Sequence, residues 1–101
     1  MNLPPRAPSM RYADRIHTKL TQALAPVTLI VDDQSAAHAG HGGAAPGGET
    51  HFEVTVVSTA FAGKSRVARQ RLVYDILKDE LAERVHALSL KTLTPEEVAQ
   101  G

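Results

Sequence analysis

The sequence predicts an α+β protein: a two-layer α/β sandwich in which helices cover one face of a three-stranded mixed sheet. Its elements follow one another in the order α-β-β-α-β-α, and its 101 residues suit one modest core. The first two strands are consecutive and are expected to pair antiparallel. The second and third are joined through a helix, a crossover that makes that pair parallel.

The N-terminal half is predicted to hold one helix and two strands. Residues 1–8 contain three prolines and are expected to form a disordered tail before a single domain at residues 9–101. Ser9 is the predicted N-cap of a one-sided helix that ends before Pro26. β-Branched residues predict a strand at 27–31, and alternating polarity predicts another at 50–58.

A glycine-rich loop, residues 34–49, separates these two strands and carries His38 and His41. Structureless connections above about 12–15 residues are commonly functional or disordered. Five glycines raise the backbone entropy of the loop, so it is expected to be mobile until something binds it. The alternative is an ordinary wide hairpin.

The C-terminal half is predicted to hold two helices around a third strand. Ser65 is the expected N-cap of a long helix that continues to about Arg84, and residues 86–93 form the strand. Thr94 and Glu97 then form a capping box that opens a short closing helix. The buried side chains of the long helix are expected to be Leu72, Val73, Ile76, Leu77 and Leu81.

Composition argues against several functional classes. The formal net charge is zero, so bulk charge does not attract the chain to nucleic acid or membranes, and there is no cysteine for a disulfide or a thiol nucleophile. No apolar run approaches the ~20 residues of a membrane span, and no signal peptide is evident, so a cytoplasmic protein is expected. No nucleophile and base are suggested by their spacing, which favours a protein that is not an enzyme.

Basic residues crowd the start of the long helix, and acidic residues lie toward its end. The basic ones are Lys64, Arg66, Arg69 and Arg71. This layout opposes the helix dipole, at roughly 0.3–1 kcal/mol for each charge near an end, and so favours binding of phosphate or of a partner's carboxylates. The alternative is a solvated face on which i,i+4 pairs such as Arg71 with Asp75 offset the cost.

Gly63, Lys64 and Ser65 imitate the end of a phosphate-binding P-loop. The full pattern needs glycine at position 58, which is serine, so a capped helix start is expected instead.

Five histidines are candidates for ligand chemistry: His17, His38, His41, His51 and His86. His17 is expected on the surface of the first helix, and His51 on the open face of the sheet. His86 begins the third strand, near the end of the long helix. Taken singly, each histidine is more often structural or solvent-exposed than a metal ligand.

Several motifs together resemble the BolA family, over about Tyr12 to Glu97. They are T-H-F at 50–52, V-S-x-x-F-x-G at 57–63, R-x-R-x-x-Y-x-x-L from Arg69, H-A-L at 86–88, and Thr94-Pro95-x-Glu97. The family usually reads Arg-His-Arg where this chain has Arg69-Gln70-Arg71. That departure removes an imidazole and keeps both arginines.

The resemblance implies a fold like the class II KH domain and partnership with a monothiol glutaredoxin. In the family the C-terminal histidine, here His86, and a histidine or cysteine of the loop share a [2Fe–2S] cluster with glutaredoxin and glutathione. No cluster is expected on the isolated chain. His41 is the predicted loop ligand because it is nearer residues 46–49, which the family places after its ligand, and His38 is the alternative. The implied function is cluster trafficking or iron and redox sensing, and a homodimer of the apo form stays open.

Two other functions stay open. Family members are also described as DNA-binding transcriptional regulators of stress, morphology or cell-envelope genes, and the basic helix start, residues 64–71, would be the DNA-binding surface. A zinc or nickel site from His38, His41 and His86 is the second, although no fourth ligand is evident. Iron–sulfur clusters need thiolates in most ligand positions, and this chain has none, which favours a cluster shared with a partner.

Overall fold

The structure, a computed structural model, describes residues 11–34 and 50–100. Its helices are α1 (Tyr12–Leu24), α2 (Arg66–Ile76), α3 (Lys78–Glu83) and α4 (Pro95–Gln100), and its strands are β1 (Thr28–Asp33), β2 (His51–Val57) and β3 (Ala87–Leu93). A 3-10 turn at Thr59–Phe61 connects β2 to α2. The predicted tail at 1–8 and the histidines of the glycine-rich loop lie outside the described residues. The predicted N-cap at Ser9 is wrong, because α1 begins at Tyr12 and its N-cap is Arg11, whose side chain makes no capping hydrogen bond.

The three strands form one sheet in the order β1-β2-β3. β1 pairs antiparallel with β2, with Ile30 opposite Thr55, and β2 pairs parallel with β3, with Thr55 opposite Lys91. The predicted α+β class and mixed sheet are therefore confirmed. β1 extends beyond the predicted end at residue 31, because Asp32 and Asp33 still pair with β2.

The core lies between the sheet and the helices. Phe52, Val54 and Val56 alternate along β2 and are buried, as the sequence pattern predicted, and they meet Ile16 and Leu20 of α1. Burying one such side chain contributes roughly 1.5–3 kcal/mol, so this cluster is the main source of stability. The other buried apolar residues of the cluster are Leu24, Phe61, Val73, Leu77 and Val85.

The long helix expected from Ser65 to Arg84 is divided in two. α2 ends at Ile76 and α3 begins at Lys78, with Leu77 between them at φ −100° and ψ 17°. Hydrogen bonding continues locally, because the N–H of Leu77 donates to the carbonyl of Val73 at 3.0 Å. Neither glycine nor proline marks the break.

The caps predicted at Ser65 and at Thr94 are present. The Ser65 hydroxyl accepts a hydrogen bond from the N–H of Ala68 at 3.1 Å and begins α2. At α4 the N–H of Thr94 donates to Glu97 Oε1 at 2.8 Å, and the N–H of Glu97 donates to Thr94 Oγ1 at 3.2 Å. This reciprocal pair is the capping box predicted from the sequence.

Candidate functional site

His86 lies directly before β3, and its side chain is exposed. Its backbone N–H donates to the carbonyl of Thr50 at 2.8 Å, and the N–H of Ala87 donates to the same carbonyl at 3.1 Å. Thr50 follows segment 35–49 directly, so it marks the end of the glycine-rich loop. The fold therefore holds His86 beside the point at which that loop joins β2.

The imidazole of His86 has no hydrogen-bond or ion-pair partner within residues 11–34 and 50–100. His51 differs, because its Nδ1 lies 2.9 Å from the hydroxyl of Thr50. His17 differs as well, since its Nδ1 lies 3.5 Å from the hydroxyl of Thr21 in the same helix. An exposed imidazole that no neighbouring side chain engages is available to a metal as a ligand.

His51 is exposed and lies on the open face of the sheet, as predicted, opposite Ala87 of β3. His51 therefore lies at the same end of the sheet as His86, and its side chain is on the opposite face of β2 from Phe52.

Within the described ranges, no group of three or more His, Cys, Asp or Glu side chains could hold a metal ion. His86 would therefore need ligands from elsewhere. His38 and His41 lie outside the described residues, so the preference for His41 and the zinc or nickel alternative both stay predictions.

The four basic residues predicted to form a binding surface fall into two groups. Lys64, Arg66 and Arg71 are exposed, whereas Arg69 is 9% exposed. The Arg69 guanidinium donates to the carbonyls of Lys64 at 3.0 Å and Thr92 at 3.1 Å and to the carboxylate of Glu97. Its hydrogen bonds to Glu97 raise the pKa of Arg69. The guanidinium of Arg69 is therefore occupied by hydrogen bonds within the fold, and an external ligand would have to displace them.

The expected i,i+4 pair of Arg71 with Asp75 does not form. No ion pair joins these two exposed side chains in the part of the chain that the structure describes. Of the basic residues at the start of α2, Arg69 is paired instead with Glu97 of α4.

A second polar cluster, between α1 and α3, was not predicted. Glu80 is fully buried, and its carboxylate accepts hydrogen bonds from Arg15 Nε and Lys19 Nζ, each at 2.9 Å. Arg15 also donates to Glu83 at 2.9 Å. Hydrogen bonding to Glu83 raises the pKa of Arg15, and hydrogen bonding to Glu80 raises that of Lys19. The sequence does contain a signal for the burial of Glu80. Glu80 follows the apolar Leu77 and Val73 by three and seven residues, which places all three on one face of a helix.

Comparison with known proteins decides the family. The family model described as BolA-like protein matches residues 20–97, most of the chain. This chain belongs to the BolA family. It is 53% identical over 88 residues to SufE-like protein 1, chloroplastic/mitochondrial, of Arabidopsis thaliana, covering 83% of this chain and 24% of that relative. It is 46% identical over 87 residues to Protein BOLA1, chloroplastic, of the same plant, and that match covers 84% of this chain and 54% of the relative.

Solved BolA structures share the fold. The BolA domain of SufE1 from Arabidopsis thaliana is 48% identical with a TM-score of 0.74, and the match covers 95% of this BolA-like chain and 99% of that domain. BolA1 from the same plant is 42% identical with a TM-score of 0.75, and the match covers 87% of this chain and 96% of that one. The fold predicted from the sequence is confirmed by these neighbours.

The BolA-like chain spans about a quarter to just over half of the curated relatives named above. Their names place them in the chloroplast or mitochondrion, and the predicted cytoplasmic location of this chain stays a prediction. Throughout residues 11–34 and 50–100, no helix has the length and apolar character needed to cross a membrane.

Proposed function

We propose that this BolA-like protein binds a monothiol glutaredoxin and supplies His86 as a ligand to a [2Fe–2S] cluster held between the two proteins. The cluster would be shared for trafficking or for iron and redox sensing. One observation carries the proposal: the exposed imidazole of His86 lacks a partner among the described residues and lies where the glycine-rich loop joins β2.

The donor set of the chain fits a shared cluster. Because the sequence has no cysteine, thiolate ligands must come from the glutaredoxin and glutathione. Two imidazoles can complete one iron, as in Rieske centres, and the second would come from His41, with His38 as the alternative. Histidine binds metal only when its ring is neutral, so we expect acid pH to weaken this ligation.

The test is to reconstitute the cluster between this chain, a monothiol glutaredoxin and glutathione, and to record visible absorption and circular dichroism. His86→Ala should change both spectra, and either His41→Ala or His38→Ala should do the same. His51→Ala is the matched control, because it removes an exposed histidine at the same end of the sheet. Unchanged spectra for His86→Ala would show that the ligand assignment is wrong.

Binding of the apo glutaredoxin is measured separately by calorimetry. If His86→Ala changes the cluster spectra but still binds the apo glutaredoxin with wild-type affinity, His86 is a ligand rather than a docking residue. Absence of binding by the wild-type chain would contradict the partnership itself.

A second candidate function, DNA binding, is supported by the exposure of Lys64, Arg66 and Arg71 around the start of α2. The double variant Arg66→Glu with Arg71→Glu tests it without disturbing the buried Arg69. If these residues contact phosphates, DNA affinity should fall, and the slope of affinity against salt should decrease by about one for each contact removed. Unchanged affinity and slope would contradict the DNA-binding function.

A further inference from the structure

β3 lies at the edge of the sheet, and its backbone groups alternate between β2 and the outer side. The N–H of Ala87 donates to Thr50, and the carbonyl of Leu93 accepts from the N–H of Ser58, so odd-numbered residues face β2. The backbone groups of residues 88, 90 and 92 consequently point away from β2.

Side chains of α2 cap this outer edge at two places. The hydroxyl of Tyr74 donates to the carbonyl of Leu88 at 3.2 Å, and Nη1 of Arg69 donates to the carbonyl of Thr92 at 3.1 Å. Leu90 lies between them, and no group in the described ranges bonds its outward N–H or carbonyl. Of the three outward carbonyls, that of Leu90 is therefore the one without a donor in the described ranges.

A cavity of about 240 Å³ lies at Leu90. The residues that line it, called the β3 groove below, are Arg66, Gln70, Leu90, Lys91, Thr92 and Leu93. Arg66 and Lys91 are exposed and have no acidic partner in the described part of the chain, and Gln70 and Leu90 are half-buried. The groove thus combines two unpaired cations, a side-chain amide and an open stretch of backbone.

This combination fits a polypeptide better than a nucleic acid. Nucleic-acid affinity grows with the number of phosphates neutralised, and the β3 groove offers two cations because Arg69 is held by Glu97. Single-stranded nucleic acids also bind through aromatic stacking, and no aromatic residue lines the groove. An exposed backbone N–H and carbonyl, in contrast, match the backbone of an extended chain.

We propose that the β3 groove is a docking site for an extended acidic segment of a partner protein. Carboxylates of that segment pair with Arg66 and with Lys91, and its backbone hydrogen-bonds Leu90. The caps at Leu88 and Thr92 prevent a longer strand from pairing there, so recognition is short and depends on charge.

The β3 groove is distinct from the His86 site. His86 precedes β3, and Lys91 lies five residues further along the chain, a separation of about 16 Å at the rise of an extended strand. Docking at the groove therefore does not rest on the proposed cluster, and both sites can be occupied together.

The test is an NMR titration of the isotope-labelled chain with a short capped peptide of alternating Thr and Glu. Shifts should concentrate on the backbone amides of Leu90 to Leu93 and on the side-chain amide of Gln70. Lys91→Glu should weaken binding about tenfold, as expected for the loss of one charge-assisted contact. Lys78→Glu, which makes the same charge change on exposed α3, should leave the affinity unchanged.

Two comparison ligands keep the proposal falsifiable. The same peptide with Lys in place of Glu should not bind, and a short oligothymidylate should bind more weakly than the acidic peptide. Tighter oligothymidylate binding at these amides would overturn the proposal in favour of nucleic acid. Absence of localised shifts with the acidic peptide, or equal affinities for Lys91→Glu and Lys78→Glu, would also overturn it.

Discussion

The guanidinium of Arg69 is bidentate on the carboxylate of Glu97, with Nη1–Oε1 at 2.7 Å and Nη2–Oε2 at 3.1 Å. The same guanidinium also binds the carbonyls of Lys64 and Thr92. One side chain therefore joins α2, the turn before it, β3 and α4. Because Glu97 is also part of the capping box with Thr94, α4 is fixed through this contact.

Arg69→Ala should lower the thermal unfolding midpoint by several degrees, because it leaves Glu97 and the Thr92 carbonyl without their donor. Arg69→Lys should rescue little, since an ammonium cannot reproduce the planar set of donors. Arg71→Ala is the control, an exposed arginine two residues along the same helix, and should leave the midpoint unchanged. Equal midpoints for Arg69→Ala and Arg71→Ala, measured by circular dichroism, would contradict the structural role.

Acid should destabilise the fold in part through Glu97. Hydrogen bonds from Arg69 and then from the N–H of Thr94 lower the pKa of Glu97 from 4.5 to about 2. A carboxyl whose pKa is lower in the folded state stabilises the fold above its unfolded pKa, and that contribution is lost as the pH falls toward 2.

The measurement is the free energy of unfolding of wild type and Glu97→Gln between pH 5 and pH 2. The variant should lose less stability over this range, and some loss should remain, because hydrogen bonds from Arg15 and Tyr12 also lower the pKa of Glu83. Glu96→Gln, an exposed neighbour in α4, should keep the wild-type dependence. The same pH dependence in both variants would show that Glu97 is not responsible.

Glu80→Ala should destabilise the protein by about 3 kcal/mol, near the lower end for breaking a buried ion pair. The Glu80 side chain is 1% exposed, whereas Arg15 and Lys19 keep 26% and 34% exposure and can regain water. Glu83→Ala removes a carboxylate bound to the same Arg15 but 48% exposed, so its effect should be much smaller. Urea unfolding distinguishes the two, and similar losses would contradict the importance of burial.

Gly63→Ala should cost about 1 kcal/mol through backbone strain alone. Gly63 has φ +76°, and a Cβ added there would meet no atom within 4 Å in the described structure other than those of the adjacent residues. Space at residue 63 does not limit a larger side chain. Gly63→Asn should therefore cost less stability than Gly63→Ala, because asparagine tolerates the left-handed region better than alanine does. Equal stability losses, measured by denaturant unfolding, would show that conformation at residue 63 is not the cause.

The strands and caps could be predicted because their signals are local. The alternation along β2 and the Thr94–Glu97 pattern involve neighbouring residues, and both are present in the structure. The break at Leu77 could not be predicted in this way. It has no helix-breaking residue, and it lies beside a carboxylate held by Arg15, 65 positions away in the sequence.

The residues of the candidate site also divide into those that a local sequence pattern predicts and those that depend on distant contacts. The placement of His86 at the start of a strand follows from local pattern, and its exposure agrees with a ligand role. The sequence pattern groups Arg69 with the exposed cations, because charge along one helix contains no information about a partner 28 residues away. Residue types alone could not separate this structural arginine from its exposed neighbours.

The caps on β3 also bear on how the protein behaves at high concentration. An uncovered edge strand is a template on which further copies can add, and this is a common origin of aggregation. Tyr74 and Arg69 occupy two outward carbonyls of β3, so a second molecule cannot extend the sheet continuously along that edge. Crowding this protein should therefore not recruit β3 into fibrils as long as α2 keeps its place.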